Sequence, residues 1–226
     1  MFRKLASVFG LSAALAGAAD AATGPYPDPS SNHLYELLFC DVPALYRPPP
    51  GAAAADWQVL LHAPDADVAA VRALAVDAVQ ESRVRALAYA WLRLRQEPVP
   101  AAELLGVVVE VALPAGLDTL AAYRDGRVRY LNHSGRAVLI DARTPLTDPL
   151  VDALLATSGR AKPHAQPWQR ARGVGPGPGE VRIVMLTSGG LHRIEGPFER
   201  LQRDAVVGPA LLAASRLLEQ LTRAVR

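Results

Sequence analysis

The sequence predicts an α+β fold with an antiparallel sheet. Three observations carry that reading. Apolar residues recur at helical spacing up to about Arg95, then switch to β-branched runs from residue 104 onward. Those runs are joined by turns too short for parallel crossovers. A clean helical stripe then closes the chain. The expected architecture is a four-stranded meander plus a hairpin, with helices packed on one face and an N-terminal helical pair in front.

At the start, Arg3 and Lys4 precede an uncharged stretch over residues 5–19, and Ala19-Asp20-Ala21 follows. A basic start, an apolar middle and small residues at the end form the pattern of an export signal. Cleavage after Ala21 would make the protein periplasmic or secreted. The rival is a short amphipathic helix with a linker in a cytoplasmic protein. Residues 24–29 hold three prolines, which fix φ and remove backbone donors. Residues 1–30 are therefore expected to be a signal or flexible tail, and residues 31–226 a single domain.

Residues 34–39 (LYELLF) form a short apolar run that Pro48-Pro49-Pro50-Gly51 ends. Asp65 or Asp67 can cap a helix reaching about Ala75. Asp77 with Gln80 three residues on reads as a capping box for a second helix to about Arg95, stopped by Pro98 and Pro100. Residues 104–113 (LLGVVVEVAL) read as a buried strand. Residues 117–123, 128–133 and 137–141 follow as strands, with Asp125-Gly126 and Ser134-Gly135 between them. Asp148-Pro149 opens a helix to about Thr157. Residues 181–187 and 191–195 form the hairpin. In the last helix Leu211, Ala214, Leu218, Leu221 and Val225 alternate at +3 and +4, which predicts that Leu218 faces the sheet.

Composition narrows the function classes. The chain is 50% hydrophobic, which excludes disorder along its whole length. Its one Cys, Cys40, excludes a disulfide scaffold. Apart from the N-terminal stretch, no apolar run approaches the roughly 18 residues of a spanning helix, so no membrane span is expected in the mature chain. Residues 1–120 carry 8 basic and 13 acidic residues, whereas residues 121–226 carry 16 and 9. The basic second half makes weak nucleic-acid binding an alternative, but the charge is spread over many elements and nucleic acid is not the expected partner. The five His residues and Cys40 show no metal-ligand spacing, so no metal or cofactor is expected.

Two groups of residues are candidates for binding. Glu110 interrupts an apolar strand, and an unpaired buried carboxylate is costly. Its face is therefore expected to be wet: either a solvated outer face with a cross-strand ion pair or, with Arg127, Arg129 and His133 of a nearby strand, a shallow polar site. The second group is a basic Gly/Pro-rich loop at residues 158–179, with Arg160, Lys162, Arg170 and Arg172 and no acid. Trp168 in this loop is expected to be partly exposed and to anchor a partner protein. Ser134 and Ser188 sit in turns and match no nucleophile elbow. The leading expectation is a non-catalytic module that binds another protein or sits in a small assembly. The enzymatic alternative is a hydrolase using the His133 region.

Overall fold

Local chemistry sets the helix boundaries. Asp28 accepts from the backbone N–H groups of Ser30 and Ser31 and opens α1 (Pro29–Leu37). After α2 (Asp56–His62), Asp67 caps α3 (Val68–Val76) through Ala69 N–H at 3.0 Å. The next helix, α4 (Ser82–Leu94), ends where Gln96 enters the left-handed region at φ 59°. The capping box expected at Asp77 and Gln80 does not form. Asp77 terminates α3 and accepts from Val79 N–H in the connecting turn, and α4 begins only at Ser82. The expected pair thus belongs to a group of four helices. The computed structural model describes residues 24–100, 103–168 and 175–223.

The strands are β1 (Leu104–Leu113), β2 (Gly116–Tyr123), β3 (Val128–Leu131), β4 (Ala137–Ile140), β5 (Gln166–Pro167), β6 (Glu180–Thr187) and β7 (Gly190–Pro197). They form one antiparallel sheet of seven strands, in the order β4-β3-β2-β1-β6-β7-β5. Helix α5 (Asp148–Ala161) lies between β4 and β5 in the chain, and α6 (Phe198–Arg203) and α7 (Gly208–Arg223) follow β7.

Helices cover both faces of the sheet, which corrects the one-faced expectation. Val107 and Val109 of β1 pack with residues of α5 and α7, while Leu105 and Val108 pack with residues of α1, α3 and α4. The physical reason lies in β1 itself: a strand apolar on both sides needs a layer on each. Gly106 makes room for the ring of its cross-strand neighbour Tyr123, because a Cβ there would stand 2.9 Å from that ring. Tyr123 in turn donates its hydroxyl to Leu38 O at 2.8 Å, tying β2 to the chain just after α1.

The packed body also begins earlier than residue 31. Tyr26 is buried, and its hydroxyl bonds Thr119 Oγ1 at 2.8 Å. Among the prolines of residues 24–29, Pro29 occupies the first turn of α1, where a missing donor costs nothing. The stretch read as an export signal lies outside the described residues. In α7 the buried face is Ala210, Leu211, Ala214, Leu217 and Leu221, so Leu217 points inward and Leu218 sits half-buried at the margin.

Candidate functional site

Sheet register builds a polar row through the centre of the molecule. Leu131, Thr119, Glu110, Arg182 and Glu195 stand opposite one another across β3, β2, β1, β6 and β7. Glu110 is 0% exposed, so the expected wet face is dry. The carboxylate survives there because it is partnered. Tyr35 of α1 donates to Oε1 at 2.7 Å, and Arg182 Nη1 stands 3.2 Å from Oε2. The other side of the Arg182 fork grips Glu195, with Nε at 3.1 Å from Oε2 and Nη2 at 3.2 Å from Oε1. Arg193 adds a third contact to Glu195 at 2.9 Å. Desolvation nevertheless holds the Glu110 carboxyl above the ordinary carboxylate range, with Arg182 and Tyr35 pulling the other way. Burial and the Glu110 charge together push the Tyr35 hydroxyl far up. Two carboxylates and two guanidiniums leave the cluster neutral, and it acts as a polar clamp between α1 and the sheet.

Sequence reasoning found Glu110 and missed Tyr35, Arg182 and Glu195. A signal was present: Arg182, like Glu110, interrupts an apolar run within its strand (VRIVML in EVRIVMLT). Two such interruptions of opposite sign are what a cross-strand pair looks like before the strand order is known.

The other expected partners of Glu110 go elsewhere. Arg127 pairs with Asp125 at 2.9 Å and Glu81 at 3.0 Å. Arg129 is buried and bonds Asp141 and the carbonyls of Val128 and Ile140. His133 sits on the β3–β4 turn, where Asp118 accepts its backbone N–H at 2.8 Å and faces its Nδ1 at 3.2 Å. Tyr130 donates to the second oxygen of Asp118 at 2.7 Å. The four residues therefore do not form one site.

The basic segment is also more structured than expected. Helix α5 continues to Ala161, a short 3-10 turn spans Lys162–His164, and β5 pairs with β7. Arg160 is exposed and Lys162 half-buried. Trp168 is only 8% exposed, which overturns its expected exposure. Its backbone N–H donates to Leu191 O at 2.8 Å, and its ring meets Phe39 edge-on at 6.0 Å. The guanidiniums of Arg182 and Arg193 lie 4.9 and 5.4 Å from the ring centroid, so Trp168 roofs the polar clamp. Arg170 and Arg172 lie outside the described residues.

Cys40 is buried at φ 52°, with Tyr46 donating to its sulfur at 3.4 Å, and burial pushes the thiol up to about 11. Such a thiol is protonated and inert near neutral pH. The turn serines are occupied too: Ser134 Oγ donates to Asn132 and Ser188 Oγ to Pro100 O.

The remaining feature is the edge formed by β4. Asn132 N–H donates to Arg136 O, so those two residues form a hydrogen-bonded pair. Alternation along the ladder then pairs Tyr130 with Val138 and Val128 with Ile140 in the same way. The backbone groups of Ala137 and Leu139 consequently point away from β3, to the outer side, where no strand follows among the described residues. Beside this edge runs a shallow groove of about 30 Å³, with room for a few waters. Leu34, Leu37 and Leu38 form its α1 wall, and Ala137, Val138 and Leu139 its β4 wall. Arg83 and Arg129 line it as well, with no acidic residue. A second depression, of about 50 Å³, lies between the opposite sheet face and α7 and includes Asp118, Tyr130 and Ser215. Neither includes His133.

Among the described residues no group of three or more His, Cys, Asp or Glu side chains is placed to hold a metal ion. No described helix is long and apolar enough to cross a membrane. Comparison of the chain with protein-family models, curated proteins and solved structures finds no match.

Proposed function

We propose that the protein is a non-catalytic binding module that receives an extended segment of a partner protein along the free side of β4. The observation that carries this reading is the contrast between the two ends of the sheet. At one end β5 is two residues long and contains Pro167, two devices that blunt an edge. At the other, β4 reads Ala-Val-Leu-Ile, with no proline and no charge, and turns the backbone groups of Ala137 and Leu139 outward. An added strand would satisfy those groups and lay alternate side chains against the groove.

The test is selection of a random dodecapeptide display library on the immobilised full chain. Leu139→Pro serves as the counter-variant, because it deletes an outward donor while sparing the β3–β4 ladder. Enriched peptides that bind wild type and lose at least 100-fold on Leu139→Pro, with the melting curve retained, support the reading. Enrichment indifferent to Leu139→Pro defeats it.

A second reading, hydrolysis through His133, is favoured by the Asp118 contact to its Nδ1. It lacks a serine or cysteine bonded to the imidazole among the described contacts. Turnover of p-nitrophenyl esters that His133→Asn abolishes would revive it.

A further inference from the structure

The chemistry lining the β4 groove says more about its occupant. We infer that the segment taken up at β4 carries an acidic side chain, and that Arg83 selects it; this inference rests on the edge-docking reading above.

The two charged side chains lining the groove are both cations. Arg129 is buried against Asp141 and two strand carbonyls, so it is committed to holding the end of β4. Arg83 is differently placed, opening more to solvent at 18% side-chain exposure. Its Nη2 reaches Glu81 at 3.0 Å, but Glu81 is shared with Arg127, also at 3.0 Å. Its Nε is buried with no hydrogen-bond partner among the described residues. Beneath it lie Tyr123, whose ring centroid is 6.0 Å from the guanidinium carbon, and Cys40, both held neutral by burial. Arg83 therefore brings to the groove a partly exposed cation over a neutral floor. A carboxylate is the acceptor that matches its charge.

The walls of the groove set the rest of the segment. Leu34, Leu37 and Leu38 on one side and Ala137, Val138 and Leu139 on the other are apolar. The expected occupant is an extended run with apolar residues at alternate positions and one Asp or Glu placed to meet Arg83.

The experiment uses the library-selected dodecapeptides on the full chain, with affinities measured by fluorescence anisotropy for wild type, Arg83→Gln, Arg83→Lys and Leu139→Pro. Selected peptides should share an acid at a fixed offset from alternating apolar residues. Changing that acid to its amide should weaken wild-type binding about tenfold, as expected for one charge-assisted hydrogen bond. Arg83→Gln should weaken the acidic peptide equally and leave the amide peptide unchanged. Arg83→Lys should fall between, because it keeps the charge and loses the fork. Peptides that Leu139→Pro abolishes but that carry no common acid, or that Arg83→Gln does not affect, overturn this inference and leave edge docking standing. Failure to obtain any Leu139→Pro-sensitive peptide overturns both. A dimer by light scattering that Leu139→Pro converts to monomer assigns the edge to a second copy and overturns the acidic segment.

Discussion

Replacing Arg182 by Met strips the buried Glu110 carboxylate of its ion partner and leaves the Tyr35 hydroxyl as its nearest donor. Glu195 keeps Arg193 and is 24% exposed, so its share of the loss is small. Glu110, fully buried, bears most of it. Breaking a buried pair from one side costs about 3–5 kcal/mol. At roughly 2–4 °C per kcal/mol for a domain of this size, the melting temperature should fall by about 6–20 °C. The double variant Glu110→Leu/Arg182→Met removes the stranded charge and should recover most of that loss. Acid should help as well. Because burial raises the folded carboxyl above its unfolded value, the native state binds the proton more tightly. The contribution of this group to stability is thus full below the ordinary glutamate range and is lost as pH rises through the raised folded value. The Arg182→Met deficit should accordingly shrink as pH falls. Urea denaturation followed by circular dichroism across pH measures both effects. An Arg182→Met protein within about 1 kcal/mol of wild type at pH 7, where a paired carboxylate predicts several, would show that the polar row does not clamp the layers.

Other consequences are direct. Trp168→Ala removes the ring that packs on Phe39 and roofs Arg182, and should cost about 3–5 kcal/mol in denaturant titrations. Leu217→Ala should cost about 2–5 kcal/mol and Leu218→Ala clearly less, because Leu217 is fully buried and Leu218 half-buried; equal losses would misplace the α7 face. Cys40 should resist a thiol-disulfide reagent such as Ellman's at pH 8 in the native protein and react at once in urea, since burial raises its thiol to about 11.

Much of the sheet was legible in the sequence because strand period and turn chemistry are local. Asp125-Gly126 marks the β2–β3 turn, where Gly126 takes φ 86°, and the β-branched run of β1 declares burial. The short helices α2 and α6 were missed, because six or seven residues hold too little periodicity to stand out. Coverage of both faces was misjudged at Glu110. A lone acid in an apolar strand argues for solvent unless its partner is known, and Arg182 lies 72 residues away. Trp168 misled for a related reason: a basic Gly/Pro-rich context suggests an exposed anchor, whereas β5 pairing folds the ring onto Phe39. The edge position of β4 was not legible at all. Nothing within residues 137–140 says that β4 is the outermost strand among the described residues; strand order is decided by β6 pairing with β1 and β7 with β6.

Backbone amide exchange at β4 tests edge docking most directly. In the free protein the amides of Ala137 and Leu139 should exchange rapidly, while those of Val138 and Ile140, bonded to β3, exchange slowly. Adding a selected acidic dodecapeptide to saturation should protect Ala137 and Leu139 and leave Val138 and Ile140 unchanged. Ala137 and Leu139 amides that stay equally fast with the peptide bound would place the binding surface somewhere other than the β4 edge.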